Sequence, residues 1–120
     1  MLKCIAIDDE PLALRQITGY ISKIPYLELS ATFNNAIDAQ QRLTEEPADL
    51  IFADINMPDL NGVDFVRALP DRPMVIFTTA YSEYAVEGFK LDAVDYLLKP
   101  FSFADFSRSA AKANSLYELR

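Results

Sequence analysis

The stretch "LIFADINMPDLNG", residues 50–62, decides how the rest of the chain is interpreted. Its first four residues are continuously apolar, which is typical of a strand that is buried on both faces in the middle of a sheet. The run then ends on one carboxylate, Asp54, and breaks into a segment with proline and glycine, which favours a turn. Such a strand either ends at the surface or presents its carboxylate to a ligand.

The composition predicts one soluble domain. With 120 residues, of which 51% are hydrophobic, the chain can bury a core, and no apolar run is long enough to span a membrane. The N-terminal residues "MLKCIAIDDEP" are unlike a signal peptide. The single cysteine, Cys4, allows no internal disulfide and indicates a core residue in a reducing compartment, so we expect a cytoplasmic protein.

Charge and the lack of histidine exclude several classes of function. The formal net charge of −7 argues against direct binding of nucleic acid by this domain. Because the chain has no histidine, Ser–His–Asp and Cys–His catalysis, histidine-ligated zinc and a histidine phosphocarrier are all excluded. The chemistry that remains is that of carboxylates, hydroxyls and lysines.

Five apolar runs alternate with five segments of helical periodicity. Strands are predicted at 3–7, 27–33, 50–54, 74–79 and 94–98. Helices are predicted over 11–24, over 34–45 with a cap at Asn34 or Asn35, over 61–69, over 84–91, and along a C-terminal stripe of Phe103, Phe106, Ala110, Ala113 and Tyr117. The second strand reads as an edge strand with one buried side, formed by Leu27, Leu29, Ala31 and Phe33. This alternation predicts right-handed crossovers and an α/β fold with a parallel sheet covered on both faces.

Polar side chains follow the strands at the edge where open parallel α/β sheets bind ligands, beyond the carboxyl ends of the strands. They are acids, hydroxyls and one lysine, namely Asp8, Asp9, Glu10, Asp54, Thr78, Thr79 and Lys99. Each has a structural explanation when taken alone, such as a helix N-terminus for the first acids or turn formation for Asp54. Their joint occurrence at one rim favours a site.

Repulsion among the acids indicates a bound cation. Two carboxylates about 4 Å apart repel by roughly 4 kcal/mol at an effective dielectric constant of about 20, so three of them need a neutralising charge. Carboxylate, carbonyl and water oxygens suit Mg²⁺. A magnesium ion beside a lysine forms a positive niche for a phosphoryl group, to which a carboxylate can add as nucleophile.

At these positions the chain resembles a known family. The pair Asp8–Asp9, "DINMPDLNG" from Asp54, "TTA" at 78–80 and "DYLLKPF" at 95–101 are together similar to the receiver domain of bacterial two-component response regulators. The resemblance covers residues 1–120 and implies a flavodoxin-like (βα)5 three-layer sandwich with five parallel strands in the order 2-1-3-4-5. It also implies a phosphorelay module that catalyses its own phosphorylation and dephosphorylation only, and is otherwise not an enzyme.

The resemblance assigns a role to each residue of the rim. Asp54 would be the phosphoacceptor, Lys99 would bind the phosphoryl oxygens, and the bond from Lys99 to Pro100 would be cis. The implied Mg²⁺ ligands are Asp9, Asp54, Asp8 mainly through water, and the backbone carbonyl of Asn56. The implied switch residues are Thr79, with Thr78 as the alternative, and Tyr96.

The same resemblance implies partners. A sensor histidine kinase would supply the phosphoryl group, and a face made of the fourth helix, fifth strand and fifth helix would change and could form a homodimer. The stretch 78–101 is similar to receivers that precede a LytTR-type (LytR/AgrA-like) DNA-binding domain, so DNA binding and transcription regulation are expected only through an output domain outside residues 1–120. Only 20 positions separate Thr79 from Lys99, which predicts a short fourth helix.

Three other interpretations compete with this one. A Mg²⁺-dependent aspartyl-phosphate phosphohydrolase shares the chemistry, but such enzymes usually carry an acid two residues after the nucleophile, where this chain has Asn56. A flavin-binding electron carrier shares the fold, but the acids of "DDEPLAL" would repel a flavin phosphate. A receiver-like domain that never accepts phosphate is the third, and the presence of Thr79 and Lys99 with the acids argues against it.

Overall fold

In the part of the chain that the structure describes, helices follow the first three strands and the last strand, as the periodicity predicts. A computed structural model describes residues 1–57, 59, 62–69, 73–80 and 93–119. The strands are β1 (Leu2–Ile7), β2 (Leu27–Phe33), β3 (Leu50–Asp54), β4 (Met74–Thr79) and β5 (Asp95–Leu98). The helices are α1 (Pro11–Ser22), α2 (Ala36–Glu45), α3 (Gly62–Arg67) and the C-terminal helix (Phe103–Glu118). The fourth helix, predicted at 84–91, lies outside the described residues.

The five strands form one parallel sheet in the order β2-β1-β3-β4-β5. The predicted strand order and the flavodoxin-like fold are therefore confirmed. All five residues of β3 are buried, as expected for an apolar run covered on both faces. The strand order reverses between β1 and β3, and the crevice at such a point lies beyond the carboxyl ends of these strands.

The core consists of two apolar clusters, one on each side of the sheet. On the side that we call the α1 face, α1 and the C-terminal helix pack on the sheet, with Ile17, Ile21 and Phe106 among the buried residues. On the opposite side, the α2 face, α2 and α3 cover the sheet, with Ala39 and Phe65 among the buried residues. None of the described helices is long and apolar enough to cross a membrane.

The edge strand β2 departs from the predicted alternation. The β1–β2 register skips Ser30, and such a bulge exchanges the sides of the residues that follow it. Leu27 therefore packs on the α1 face, whereas Ala31 and Phe33 pack on the α2 face. Leu29, next to the bulge, is 38% exposed. The prediction that these four apolar residues share one buried side was wrong.

The helix ends follow their local sequence. Pro11 lies in the first turn of α1, where its missing N–H needs no partner. Of the two predicted caps for α2, the structure has Asn35, whose side chain accepts a hydrogen bond from Asp38 N–H. Ser102 and Asp105 form a reciprocal capping box that begins the C-terminal helix directly after the candidate site.

Candidate functional site

One lysine joins the ends of three strands. Asp8 follows β1, Asp54 is the last residue of β3 and Lys99 follows β5, so the parallel sheet brings all three to one edge. Lys99 Nζ lies 2.9 Å from Asp8 Oδ2, 3.3 Å from Asp54 Oδ2 and 3.3 Å from Glu10 Oε1. The predicted proximity of Asp8, Asp54 and Lys99 is confirmed.

The turns after β1 and β3 each hold one oxygen of an aspartate. Asp8 Oδ1 accepts a hydrogen bond from Glu10 N–H at 2.9 Å, and Asp54 Oδ1 accepts one from Asn56 N–H at 3.1 Å. An aspartate commonly bonds the backbone two residues further along in this way. Because the other oxygen of each carboxylate faces Lys99, both carboxylates are fixed at both oxygens.

Burial and charge act in opposite directions at Asp54. The residue is 4% exposed, and Asp8 beside it is 0% exposed. Burial, with a further contribution from the charge of Asp8, raises the pKa of Asp54 to about 6, although Lys99 and Asn56 N–H favour the ionised form. Burial lowers the pKa of Lys99, but the hydrogen bond that its ammonium donates to Asp8 and the charges of the nearby carboxylates outweigh burial, so the pKa of Lys99 is raised. At neutral pH the site therefore holds an ionised, poorly solvated Asp54 beside a charged lysine.

Three carboxylates form an acidic cluster around the Lys99 ammonium. One oxygen each from Asp8, Glu10 and Asp54 lie within 4.8 Å of one another. Carboxylate oxygens are the kind of hard ligand that Mg²⁺ prefers. Three carboxylates against one ammonium also leave excess negative charge. The donor set is therefore suited to the hard cation that the sequence predicts.

Glu10 is the member of this cluster that sequence reasoning did not single out as a ligand. Glu10 is the N-cap residue of α1, yet within this described segment its side chain accepts no capping hydrogen bond, and its 66% exposed carboxylate lies against Lys99. Asp9, predicted as a direct Mg²⁺ ligand, is exposed and is not part of the cluster among the described residues. Its metal role stays a prediction. The sequence signal that could have identified Glu10 as a member of the cluster is the two-residue alternation of β1, which puts Ala6, Asp8 and Glu10 on one side.

Gly62 allows the loop after β3 to fold back on Asp54. Gly62 N–H donates a hydrogen bond to the carbonyl of Ile55 at 2.8 Å. A Cβ atom at position 62 would lie 2.6 Å from the backbone oxygen of Asp54 and 3.0 Å from Ile55 Cα. Any other side chain would press on the backbone that carries the carboxylate. The sequence predicts a turn at this glycine, but the close approach depends on the path of the loop.

The family model of the response regulator receiver domain matches residues 4–111 of the chain. The chain belongs to this family. It is 33% identical to the sensory transduction protein LytR of Staphylococcus haemolyticus over 114 residues, which cover 92% of this chain and 44% of that protein. It is 37% identical to the transcriptional regulatory protein YpdB of Escherichia coli K12 over 103 residues, which cover 83% of this chain and 42% of that protein. The receiver domain thus spans less than half the length of these curated relatives.

A solved structure shares the fold over nearly the whole receiver domain. The crystal structure of the response regulatory domain of mrkE from Klebsiella pneumoniae matches with a TM-score of 0.89 and 32% sequence identity. The match covers 99% of this chain and 100% of that chain. The protein is therefore a receiver domain of a two-component system, which is a signalling module.

The two hydroxyls at the end of β4 lie on opposite faces of the receiver sheet. Thr78 pairs in register with Asp54 and comes two residues after Ile76, which packs on the α1 face, so the Thr78 side chain is on the α1 face too. Thr79 alternates to the α2 face, where Tyr96 stacks on Phe77 with ring centroids 5.7 Å apart. Both threonines are buried. Thr79 thus shares a face with Tyr96, while Thr78 shares one with Asp54; the switch roles stay predictions.

The main chain at the end of β5 anchors Lys99 in the receiver site. Lys99 N–H donates a hydrogen bond to the carbonyl of Thr79 at 2.7 Å, and the Lys99–Pro100 peptide bond is cis. The Lys99 side chain is only 15% exposed. Because its backbone is tied to β4, the ammonium is directed at the two buried aspartates and away from bulk water.

Proposed function

We propose that this receiver domain accepts a phosphoryl group on Asp54 from a sensor histidine kinase. The observation that supports this most directly is the position of Lys99 Nζ, 3.3 Å from Asp54 Oδ2. Since the pKa of Asp54 is about 6, its carboxylate is ionised at neutral pH and can act as a nucleophile. A carboxylate oxygen would form a bond to phosphorus while the bond from phosphorus to the donor breaks, and the donor group would keep the electron pair.

Charge stabilisation in the proposed reaction comes from Lys99 and from a metal site. The Lys99 ammonium would bond the transferred phosphoryl oxygens as charge builds up on them. The residues that would hold Mg²⁺ are Asp8, Asp54, the carbonyl of Asn56, Asp9 by family resemblance and Glu10 by its place in the cluster. Bound Mg²⁺ supplies positive charge that offsets the carboxylates and the phosphoryl oxygens.

The proposed output begins at the end of β4. The Thr79 hydroxyl would bond a phosphoryl oxygen, and Tyr96 would turn inward into the space that Thr79 leaves. This change would alter the face formed by β5, the C-terminal helix and the helix predicted at 84–91, through which a homodimer could form. The printed name of the YpdB relative, a transcriptional regulatory protein, supports transcription regulation as the output. We infer that this output would act in the cytoplasm through a LytTR-type DNA-binding domain outside residues 1–120.

The test of this function is the intact mass of the protein after incubation with acetyl phosphate and Mg²⁺. We expect one added phosphoryl group on the wild type, none on Asp54→Asn, and normal labelling of Asp64→Asn, which changes an exposed aspartate on α3. Full labelling of Asp54→Asn would show that another residue is the acceptor. Repeated turnover of a small phosphate ester would instead indicate a phosphohydrolase.

A further inference from the structure

The loop that follows the phosphoacceptor strand is attached to the N-terminus of α2. The carboxylate of Asp59, five residues after Asp54, accepts hydrogen bonds from two backbone groups of that helix. Asp59 Oδ2 lies 3.1 Å from Ala36 N and 3.1 Å from Ile37 N, and Oδ1 lies 3.4 Å from Ala36 N. The first N–H groups of a helix have no partner within the helix, and a carboxylate is favoured at this positive end. Asp59 therefore caps α2 from a distant loop.

A second residue caps the same helix from its own local sequence. Asn35 Oδ1 accepts a hydrogen bond from Asp38 N–H at 2.8 Å. The two caps divide the first turn, because Asn35 binds the third N–H and Asp59 binds the first two. Loss of the Asn35 side chain would weaken the helix alone, whereas loss of the Asp59 side chain would weaken the helix and also release the loop. Asn35 is therefore a matched control for Asp59.

Asn56, whose carbonyl is the proposed backbone ligand, lies between two attachments of this loop. On one side, Asn56 N–H is bonded to Asp54 Oδ1 at 3.1 Å. On the other side, Met57 is buried in the α2-face cluster that also contains Ala36, and Asp59 then bonds the helix end. The Asn56 side chain itself is exposed, so the position of its carbonyl depends on these neighbours.

We propose that Asp59 is a positioning residue for the metal site. By tying the loop to α2, it holds the Asn56 carbonyl and the Asp54 carboxylate at the spacing that Mg²⁺ requires. This inference rests on the proposed function. Loss of a residue that orients a metal ligand typically weakens metal affinity by about 10- to 100-fold, and because a single carbonyl is affected we expect the lower end of that range for Asp59→Ala.

The experiment measures the Kd for Mg²⁺ by calorimetry, without any phosphodonor, on the wild type, Asp59→Ala, Asp59→Asn and Asn35→Ala. Asp59→Ala should raise the Kd roughly tenfold. Asp59→Asn removes the charge but keeps an acceptor oxygen for the helix, so its Kd should stay closer to that of the wild type. Asn35→Ala should also lower the thermal midpoint, because it removes a cap of the same helix, but it should leave the Kd unchanged. Hydrogen exchange at the Ala36 and Ile37 amides should accelerate in Asp59→Ala.

Each alternative outcome overturns the inference in a recognisable way. An unchanged Kd in Asp59→Ala means that the loop keeps its position without the cap. An equal loss in Asn35→Ala means that only helix stability matters, and an equal loss in Asp59→Asn means that only charge matters. If the wild type binds Mg²⁺ and is labelled on Asp54, such results reject the role of Asp59 alone. A wild type that neither binds Mg²⁺ nor is labelled rejects the proposed function as well.

Discussion

Asp54→Asn should stabilise the metal-free protein at pH 8 but not at pH 4. Burial beside Asp8 raises the pKa of Asp54 from 3.8 to about 6. A carboxyl group with a raised pKa holds its proton more tightly in the folded state, so its stabilising effect is complete below the unfolded pKa and is lost as the pH rises through the folded pKa. One pKa unit corresponds to about 1.4 kcal/mol, so ionisation of Asp54 lowers the free energy of unfolding by roughly 3 kcal/mol.

The assay is urea unfolding of the wild type and Asp54→Asn between pH 4 and pH 8, without Mg²⁺. Asparagine keeps the size of the side chain and an acceptor for Asn56 N–H, but it carries no charge. The gain in free energy of unfolding should be near zero at pH 4, rise up to about pH 6, and level off at roughly 3 kcal/mol. Glu45→Gln, at an exposed position of α2, should show no such rise. Added Mg²⁺ should then stabilise the wild type more than Asp54→Asn.

Two results would refute this reasoning. If the two proteins differ by the same free energy at pH 4 and pH 8, the ionisation of Asp54 does not oppose folding. If Asp54→Asn is less stable than the wild type at pH 8, the attraction of Lys99 exceeds the penalty of burial. The pKa of Asp54 would then lie below its ordinary value, which a carbon-13 titration of the Asp54 carboxyl group would show directly.

Three further predictions concern two glycine positions, a buried hydroxyl and the buried thiol. Gly62→Ala should lower the free energy of unfolding by about 1–3 kcal/mol, because its Cβ would lie 2.6 Å from the backbone oxygen of Asp54. Gly19→Ala, whose Cβ would have nothing within 4 Å, should raise the free energy of unfolding by about 0.5–1 kcal/mol in the same urea assay. Thr78→Val should be neutral or stabilising by about 1 kcal/mol, since the buried Thr78 hydroxyl has no hydrogen-bond partner among the described residues; a clear loss of stability would show that it has one. Burial raises the pKa of the Cys4 thiol to about 12, so iodoacetamide at pH 8 should alkylate it only after unfolding in urea, and rapid labelling of the folded protein would contradict this.

The sheet could be predicted from sequence because burial on two faces leaves a simple pattern. The continuous apolar run before Asp54 indicated a central strand, and β3 is buried at all five positions. The buried side of the edge strand β2 was harder to predict, because alternation identifies the buried residues only while the register with β1 is regular. The bulge at Ser30 moves Ala31 and Phe33 to the side opposite Leu27, and the sequence carries no mark of that shift.

Some features of the candidate site could likewise be predicted from sequence, and others could not. Asp54 and Lys99 could be brought together from sequence, because the carboxyl ends of parallel strands meet at one edge. The choice of Glu10 over Asp9 in the acidic cluster depends on side-chain direction after β1, which alternation indicates only if the strand geometry continues past Ile7. The cap from Asp59 to α2 joins segments more than 20 residues apart, and only the folded loop brings them together.

Lys99 connects the charged side of the site to the opposite face of the sheet. Its ammonium is bonded to Asp8 and Asp54, while its N–H is bonded to the carbonyl of Thr79 at 2.7 Å. If Asp54 accepts a phosphoryl group as proposed, the added negative charge and new acceptors should draw the ammonium toward them. The main chain of Lys99 can move with its side chain only if the hydrogen bond from Lys99 N–H to the Thr79 carbonyl lengthens, or if the end of β4 moves as well. Because the Thr79 side chain lies on the α2 face with Tyr96, a change in charge on one face should produce a displacement on the other.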